Sequence, residues 1–355
     1  MTTSAAATDF RFFDVHSAPF SLEGLAWKEA NHGAFYRLPP DLGEPDLSAN
    51  ELRLARYSAG VAVRFRSNSP EIMLRARLAH NDDTTQSRPG GLRGFDTYRR
   101  LPGGPLLHNR TLAPDFAATE VLAECGRNRD GILCDWLIDL PCYRSIESLE
   151  IGLKEGSALL PPPPHRIPAP ILFYGSSITQ GSSATRPGNT YTAMLCRDLD
   201  AEQVNLGFSG NAIGEPILAR AIASLDLSAF VLDYDHNAYL TSDLEETHEP
   251  FFRIVRDAHP DLPILILSMC DFRTYSLHTN KAETAAADRR EVIRRTYQHA
   301  LDNGDQNVYF IDGETLFGDD HVDACTVDTC HPNDLGFFRM YQRILPVLQK
   351  ALHLE

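Results

Sequence analysis

Hydrophobic and polar positions alternate with a period of two over residues 61–66, 71–78, 132–138 and 145–154. Such alternation puts every second side chain on one face of a strand, so one face meets a core and the other meets solvent. Turn-rich segments such as Ser87-Arg88-Pro89-Gly90-Gly91 separate these runs. Short strands between Gly/Pro turns predict a β-sandwich over residues 1–160.

Residues 161–170 read Pro-Pro-Pro-Pro-His-Arg-Ile-Pro-Ala-Pro. Proline fixes φ and removes a donor, so this stretch predicts an extended linker. Beyond it the pattern changes. Short apolar runs at 171–174, 203–206, 230–233, 264–269 and 308–311 alternate with helix-like stretches at 190–199, 215–225, 249–258, 281–303 and 335–352. Strands alternating with helices predict a parallel sheet covered on both faces, here over residues 171–355. A unit of about 180 residues is large enough to be expected to fold alone.

The chain has 355 residues, of which 43% are hydrophobic, enough for real cores. Its formal net charge of −15 argues against a nucleic-acid partner, which needs clustered Lys and Arg. The seven cysteines are scattered without CxxC spacing, the pattern of free thiols in a reducing compartment. The first residues lack a basic segment followed by an apolar one, and no apolar run approaches the ~18 residues of a membrane span. The expectation is a cytoplasmic protein without a membrane partner. Self-association is left open.

Two segments carry candidate chemistry. Ser177 follows the apolar run Ile171-Leu172-Phe173-Tyr174 and so sits at the carboxyl end of a strand, where open α/β sheets bind ligands. Asp328 precedes His331 by three residues, just ahead of a helix-like stretch. Hydroxyl, imidazole and carboxylate are the parts that activate a serine nucleophile.

Four blocks in order, Gly175-Ser176-Ser177-Ile178-Thr179, Asn205 to Asn211, Tyr234-Asp235-His236-Asn237-Ala238 and Asp328-x-x-His331, resemble the SGNH (GDSL-type) hydrolases. The resemblance implies a three-layer α/β/α, flavodoxin-like esterase fold with Ser177, His331 and Asp328 as the triad. It implies an oxyanion hole of Ser177, Gly210 and Asn237, with Gly207 read as a strand-end residue; the alternatives are a purely structural role for both glycines and a plain loop asparagine at Asn237. Ser176 stands where many members carry Asp, and the third block lacks the family's glycine and final Asp. Gly94-Phe95-Asp96-Thr97-Tyr98 is similar to the Gly-x-Asp-Leu-Tyr signature of a bacterial subgroup with an amino-terminal β-domain. Asp96 and Tyr98 then share one strand face, either as structural residues or at the rim of the active site. The layout also resembles carbohydrate esterases with a jelly-roll domain before the hydrolase, which implies an acylated sugar or another small ester as substrate. Arg186, His236 and Arg273 are candidate substrate contacts. Asn333 or Asp334 is expected to cap the last helix.

Asp233, Asp235 and His236, or Asp319, Asp320 and His321, lack the spacing of a metal site. No metal or cofactor is expected. Cys330, beside His331, is a weaker nucleophile candidate than Ser177. The rival functions are a lipase, lysophospholipase or thioesterase of the same fold, and a non-catalytic sugar-binding protein.

Overall fold

The computed structural model describes residues 9–79, 93–238, 240–270 and 283–354. Ten strands form the amino-terminal half: β1 (Phe10–Asp14), β2 (Ser21–Glu23), β3 (Ala62–Ser67), β4 (Glu71–Leu78), β5 (Phe95–Arg100), β6 (Leu106–Leu112), β7 (Glu120–Arg127), β8 (Cys134–Asp139), β9 (Ile146–Lys154) and β10 (Leu159–Leu160). They pair antiparallel into two sheets, β1-β9-β4-β7 and β10-β3-β8-β5-β6, with β2 beside β3. The alternation read in the sequence is the reason. In β4, Ile72, Leu74, Ala76 and Leu78 point inward, and in β8 so do Cys134, Trp136 and Ile138. These inner faces meet in one core with Phe65, Phe95, Ile151 and Leu153.

Five parallel strands follow: β11 (Ile171–Gly175), β12 (Gln203–Gly207), β13 (Ala229–Asp233), β14 (Ile264–Leu267) and β15 (Val308–Ile311). Their order is β12-β11-β13-β14-β15, the 2-1-3-4-5 order of a flavodoxin-like sheet. All residues of β11 and β13 are buried, as strands covered on both faces must be. Leu172 and Tyr174 enter the core on one face, Ile171 and Phe173 that on the other. Seven helices accompany the described strands: α1 (Ala49–Leu54), α2 (Ser177–Gln180), α3 (Tyr191–Leu199), α4 (Pro216–Ala223), α5 (Thr241–Ala258), α6 (Glu283–Asp302) and α7 (Asp334–Ala351). Helices α3 and α7 line one face through Leu195, Leu199, Phe337 and Ile344; α4, α5 and α6 line the other through Leu218, Phe251 and Ile293.

Two features differ from the sequence reading. Helix α5 starts at Thr241 and carries Pro250 inside it, although a proline after Glu249 reads as a helix start. The buried stripe Leu244, His248, Phe251, Phe252 and Val255 continues through the proline and holds the longer helix together. Second, the amino-terminal half does not end its packing at its own sandwich. Leu38, Leu42, Leu47, Leu54, Ala55, Tyr57, Cys142 and Tyr143 share a core with Leu172, Tyr174, Leu206 and Phe208 of the parallel-sheet half. Arg37, 1% exposed, completes the joint. Its guanidinium donates to the carbonyls of Leu54 and Tyr57 in its own half, and to those of Asn205 and Gly207 on β12. Burial lowers its pKa to about 10, which leaves it charged at neutral pH.

Candidate active site

Strand β11 ends at Gly175, where a Cβ would meet Thr179 Oγ1 at 2.2 Å and the Asp233 carbonyl oxygen at 2.3 Å. Only glycine lets the chain turn so tightly there. The next residue, Ser176, caps helix α2 by accepting a hydrogen bond from the Ile178 amide (3.2 Å). A serine here therefore serves as a helix cap. Ser177 opens the helix, so its own backbone N–H is one of the amides a helix start leaves without an internal acceptor. Gly181, at φ +101, closes the turn and donates its amide to Ser177 and Ile178 carbonyls.

The histidine comes from the far end of the chain. A bridge between Thr326 and Pro332 pinches its loop, and Val327 donates its amide to the His331 carbonyl (3.0 Å). Inside that loop Asp328 Oδ1 accepts from the amides of Cys330 (3.1 Å) and His331 (2.7 Å), while Oδ2 faces His331 Nδ1 at 2.7 Å. Partial burial works against this carboxylate, but the bonds from the His331 backbone and ring outweigh it and hold its pKa below the usual range. An ionised Asp328 can only accept, which places the ring proton on Nδ1 and leaves Nε2 basic. Ser177 Oγ lies 2.9 Å from that Nε2. Hydroxyl, imidazole and carboxylate thus form one continuous hydrogen-bonded chain. The Asp328 side chain is 49% exposed, so the carboxylate end of this chain of bonds meets solvent, whereas Ser177 is buried.

The loop after β12 faces the nucleophile turn. Phe208 donates its amide to the Gly175 carbonyl (2.8 Å), and Ser209 to Gln180 Oε1 (2.9 Å). Gly210 has φ +68, and among the described residues its amide has no acceptor. Gly207 differs. Its amide is held by Asn205 Oδ1 (2.8 Å), and a Cβ there would strike the Gln180 amide nitrogen at 2.2 Å. Gly207 is a packing glycine, and Gly210 has the available donor. Asn237, 4% exposed, sits in the short turn Asp235–Asn237 after β13 and donates Nδ2 to the Phe208 carbonyl (3.0 Å). Asn237 is thereby tied to the loop that carries Gly210.

The three expected substrate contacts fare differently. His236 has Nε2 3.3 Å from Cys270 Sγ and Nδ1 3.7 Å from Cys330 Sγ, so both ring nitrogens face thiols. Burial, with the charges of Arg289 and His331, lowers its pKa to about 3 and keeps it neutral. Burial pushes the Cys330 thiol up to about 11, which makes it a poor nucleophile. Arg186 is engaged by the amino-terminal half: its Nη1 donates to Asp96 Oδ2 (2.5 Å) and Tyr98 Oη (2.6 Å). Arg273 lies outside the described residues.

Asp233 accepts from Thr179 (3.0 Å) and Tyr191 (2.8 Å) hydroxyls, and burial raises its pKa to about 7. Asp235 accepts from the Met269 amide (2.8 Å) and faces Arg289 Nε at 3.4 Å. Among the described residues no group of three His, Cys, Asp or Glu is placed to hold a metal ion. Asn333, not Asp334, caps α7, accepting from the Leu335 and Gly336 amides. Asp334 instead accepts from Thr185 and Asn189, a role that the capping pattern gave no sign of. Tyr143, also unforeseen, directs its hydroxyl at the Ser177 carbonyl (3.4 Å).

Residues 168–349 match the model of the GDSL-like lipase/acylhydrolase family, and residues 10–159 match the model of the N-terminus of SGNH-hydrolase-type esterases. Among solved structures, the chain is similar to a GDSL-like protein from Bacteroides ovatus ATCC 8483, with 29% identity and TM-score 0.85 over 97% of this chain and 98% of that one. It shares the fold of salicylyl-acyltransferase SsfX3 from a tetracycline biosynthetic pathway (21% identity, TM-score 0.79, 98% and 99% covered). It also shares that of a family two carbohydrate esterase from Clostridium thermocellum, solved with cellohexaose (15% identity, TM-score 0.59, 84% and 94% covered). A comparison with curated proteins finds no match. No described helix is long and apolar enough to cross a membrane.

Proposed function

Because the chain belongs to the GDSL-like lipase/acylhydrolase family of ester hydrolases, we propose that it cleaves short-chain acyl esters, acetyl esters foremost, of a carbohydrate or another small polar alcohol, through an acyl-enzyme on Ser177. The observation that carries this reading is the chain Ser177 Oγ to His331 Nε2 (2.9 Å) and His331 Nδ1 to Asp328 Oδ2 (2.7 Å). Ser177 Oγ attacks the ester carbonyl carbon as its proton passes to Nε2. Asp328 keeps the ring oriented and stabilises the imidazolium. The carbonyl oxygen becomes an oxyanion that accepts from the Ser177 and Gly210 amides and from Asn237 Nδ2. Collapse breaks the bond to the alkoxy oxygen, which takes the proton from Nε2 and leaves as the alcohol. Water then attacks the acyl-enzyme, giving its proton to Nε2, and Ser177 recovers that proton as the acid departs.

The partial exposure of Asp328 and His331 supports a polar alcohol, as does the fold shared with a carbohydrate esterase. A second reading, a more apolar ester, rests on Ile213, Leu240 and Val327. Each is about half exposed or more and lies within three positions of Gly210, Asn237 or Asp328. The two readings separate on a substrate series. Aryl acetate, butyrate and octanoate are compared with acetylated oligosaccharides, with Ser177→Ala as the control. Acetyl esters turning over fastest, with release of acetate from the oligosaccharides, supports the first reading. Rates that climb to octanoate without oligosaccharide deacetylation support the second.

A further inference from the structure

The Gly-x-Asp-x-Tyr motif of the amino-terminal half carries a carboxylate with no solvent exposure. Asp96 Oδ1 accepts from Thr111 Oγ1 (2.7 Å) and His108 Nε2 (3.0 Å) of its own sheet. Oδ2 turns to the other half of the molecule. It accepts from Arg186 Nη1 (2.5 Å) and the Gly188 amide (3.1 Å), as well as from Tyr98 Oη (3.2 Å). Burial opposes the charge of this carboxylate, but His108, Arg186 and Thr111 outweigh it and hold its pKa low. The approach is so close that a Cβ on Gly188 would lie 2.0 Å from Tyr98 Oη and 2.6 Å from Asp96 Oδ2. The loop 185–190 is therefore seated on Asp96 and Tyr98.

The same loop touches segments that flank both ends of the candidate triad. Thr185 donates its amide (2.9 Å) and its hydroxyl (2.5 Å), and Asn189 its side-chain amide (2.9 Å), to the Asp334 carboxylate. Asp334 opens helix α7, three residues after His331. At the loop's other end, Thr190 packs on the turn that follows Ser177: a Cβ on Gly181 would meet Thr190 Cγ2 at 2.5 Å. A buried charge that is fully hydrogen-bonded fixes its partners firmly, since leaving any of them costs an unpaired buried group.

We propose that Asp96 is a positioning residue for the reaction: through the loop 185–190 it sets the distance between the Ser177 turn and the His331 loop. The motif is thus a clasp between the halves of the molecule rather than a rim that contacts substrate. The inference rests on the triad reading above, and it predicts an effect on turnover rather than on substrate affinity. Misplacing reacting groups by about 1 Å costs on the order of 10²-fold in rate.

A double-mutant cycle of Asp96→Asn and Asp334→Asn on the full chain tests it. The kcat for a small aryl acetate is measured per active site titrated with a serine-directed phosphonate. Each single variant is expected to lower kcat by about 10–100-fold with KM changed by no more than about twofold. The double variant should lose little more than the worse single, because both cut one path. Should Asp96→Asn fail to fold, Arg186→Gln takes its place, since Arg186 is partly exposed and leaves Asp96 its other donors. Arg186→Lys should restore most of the rate, because one nitrogen makes both contacts. An unchanged kcat per titrated site in a variant of lowered melting temperature would make the clasp merely structural, and multiplying losses would break the proposed path. Either result leaves Ser177-dependent turnover in the parent protein, whereas failure of the triad reading removes that turnover itself.

Discussion

Asn237 Nδ2 donates to the Phe208 carbonyl at 3.0 Å, tying the end of the turn after β13 to the loop that carries Gly210. One amide hydrogen holds the loop, and in the proposed reaction the second is the donor to the oxyanion. An amide donor aimed at developing charge is worth roughly 2.7–4 kcal/mol in the transition state. Asn237→Ala should therefore lower kcat by about 10²–10³-fold with KM nearly unchanged. Steady-state kinetics on an aryl acetate checks this. A raised KM with kcat preserved would make Asn237 a ground-state contact instead.

Asp328 holds His331 through both its backbone amide and its ring, so its removal affects loop and tautomer together. Asp328→Asn can donate to Nδ1 and would favour the tautomer with the proton on Nε2. The expected loss is about 10³–10⁴-fold in kcat with the melting temperature little changed. A loss below tenfold would mean that another group orients the imidazole.

Glu51, 1% exposed at the start of the shared core, has its pKa pushed up to about 9 by burial and by the neighbouring Glu215. The unfolded chain releases this proton near 4.5, whereas the folded chain keeps it to about 9. Its stabilising contribution is therefore present at acid pH and is lost as pH rises through that window, with a limiting slope of about 1.4 kcal/mol per pH unit. Glu51→Gln removes the titration. Its melting temperature should gain on the parent's between pH 5 and pH 9, and parallel curves would contradict the assignment.

A chain beginning at Ile167 should fail to fold into a soluble monomer. Length alone suggests otherwise, but Leu38, Leu54, Tyr57 and Tyr143 cover Leu206 and Phe208, and Arg37 binds the Asn205 and Gly207 carbonyls. Removing the first half uncovers that face and those acceptors at once. A soluble truncated chain with a cooperative thermal transition would contradict this.

That contrast shows where the sequence was legible. Residues 71–78 announce their strand because burial on one face leaves a period-two trace, and 203–206 and 308–311 announce theirs as short apolar runs. Ser177, His331 and Asp328 were legible because local turns place each of them, and the turn residues Gly175, Gly181 and Pro332 stand in the sequence beside them. The partners of Arg186 and Arg37 were not legible. A long cation reads as a surface or substrate group, and nothing local tells that a carboxylate 90 residues away, or a row of carbonyls, will bury it. The surroundings of His236 were hidden for the same reason. A polar residue beside an oxyanion-hole candidate reads as functional, whereas its thiol neighbours come from Cys270 and Cys330, remote in sequence.

The central claim is that Ser177 carries the acyl group. Mass spectrometry of the protein after treatment with a serine-directed phosphonate, followed by peptide mapping, tests it most directly. A single adduct is expected on Ser177, absent from Ser177→Ala, whose kcat falls to at most the roughly 10³–10⁴-fold enhancement over water that binding and oxyanion donors leave. An adduct on Ser176 or Cys330, or turnover that survives in Ser177→Ala, would contradict it.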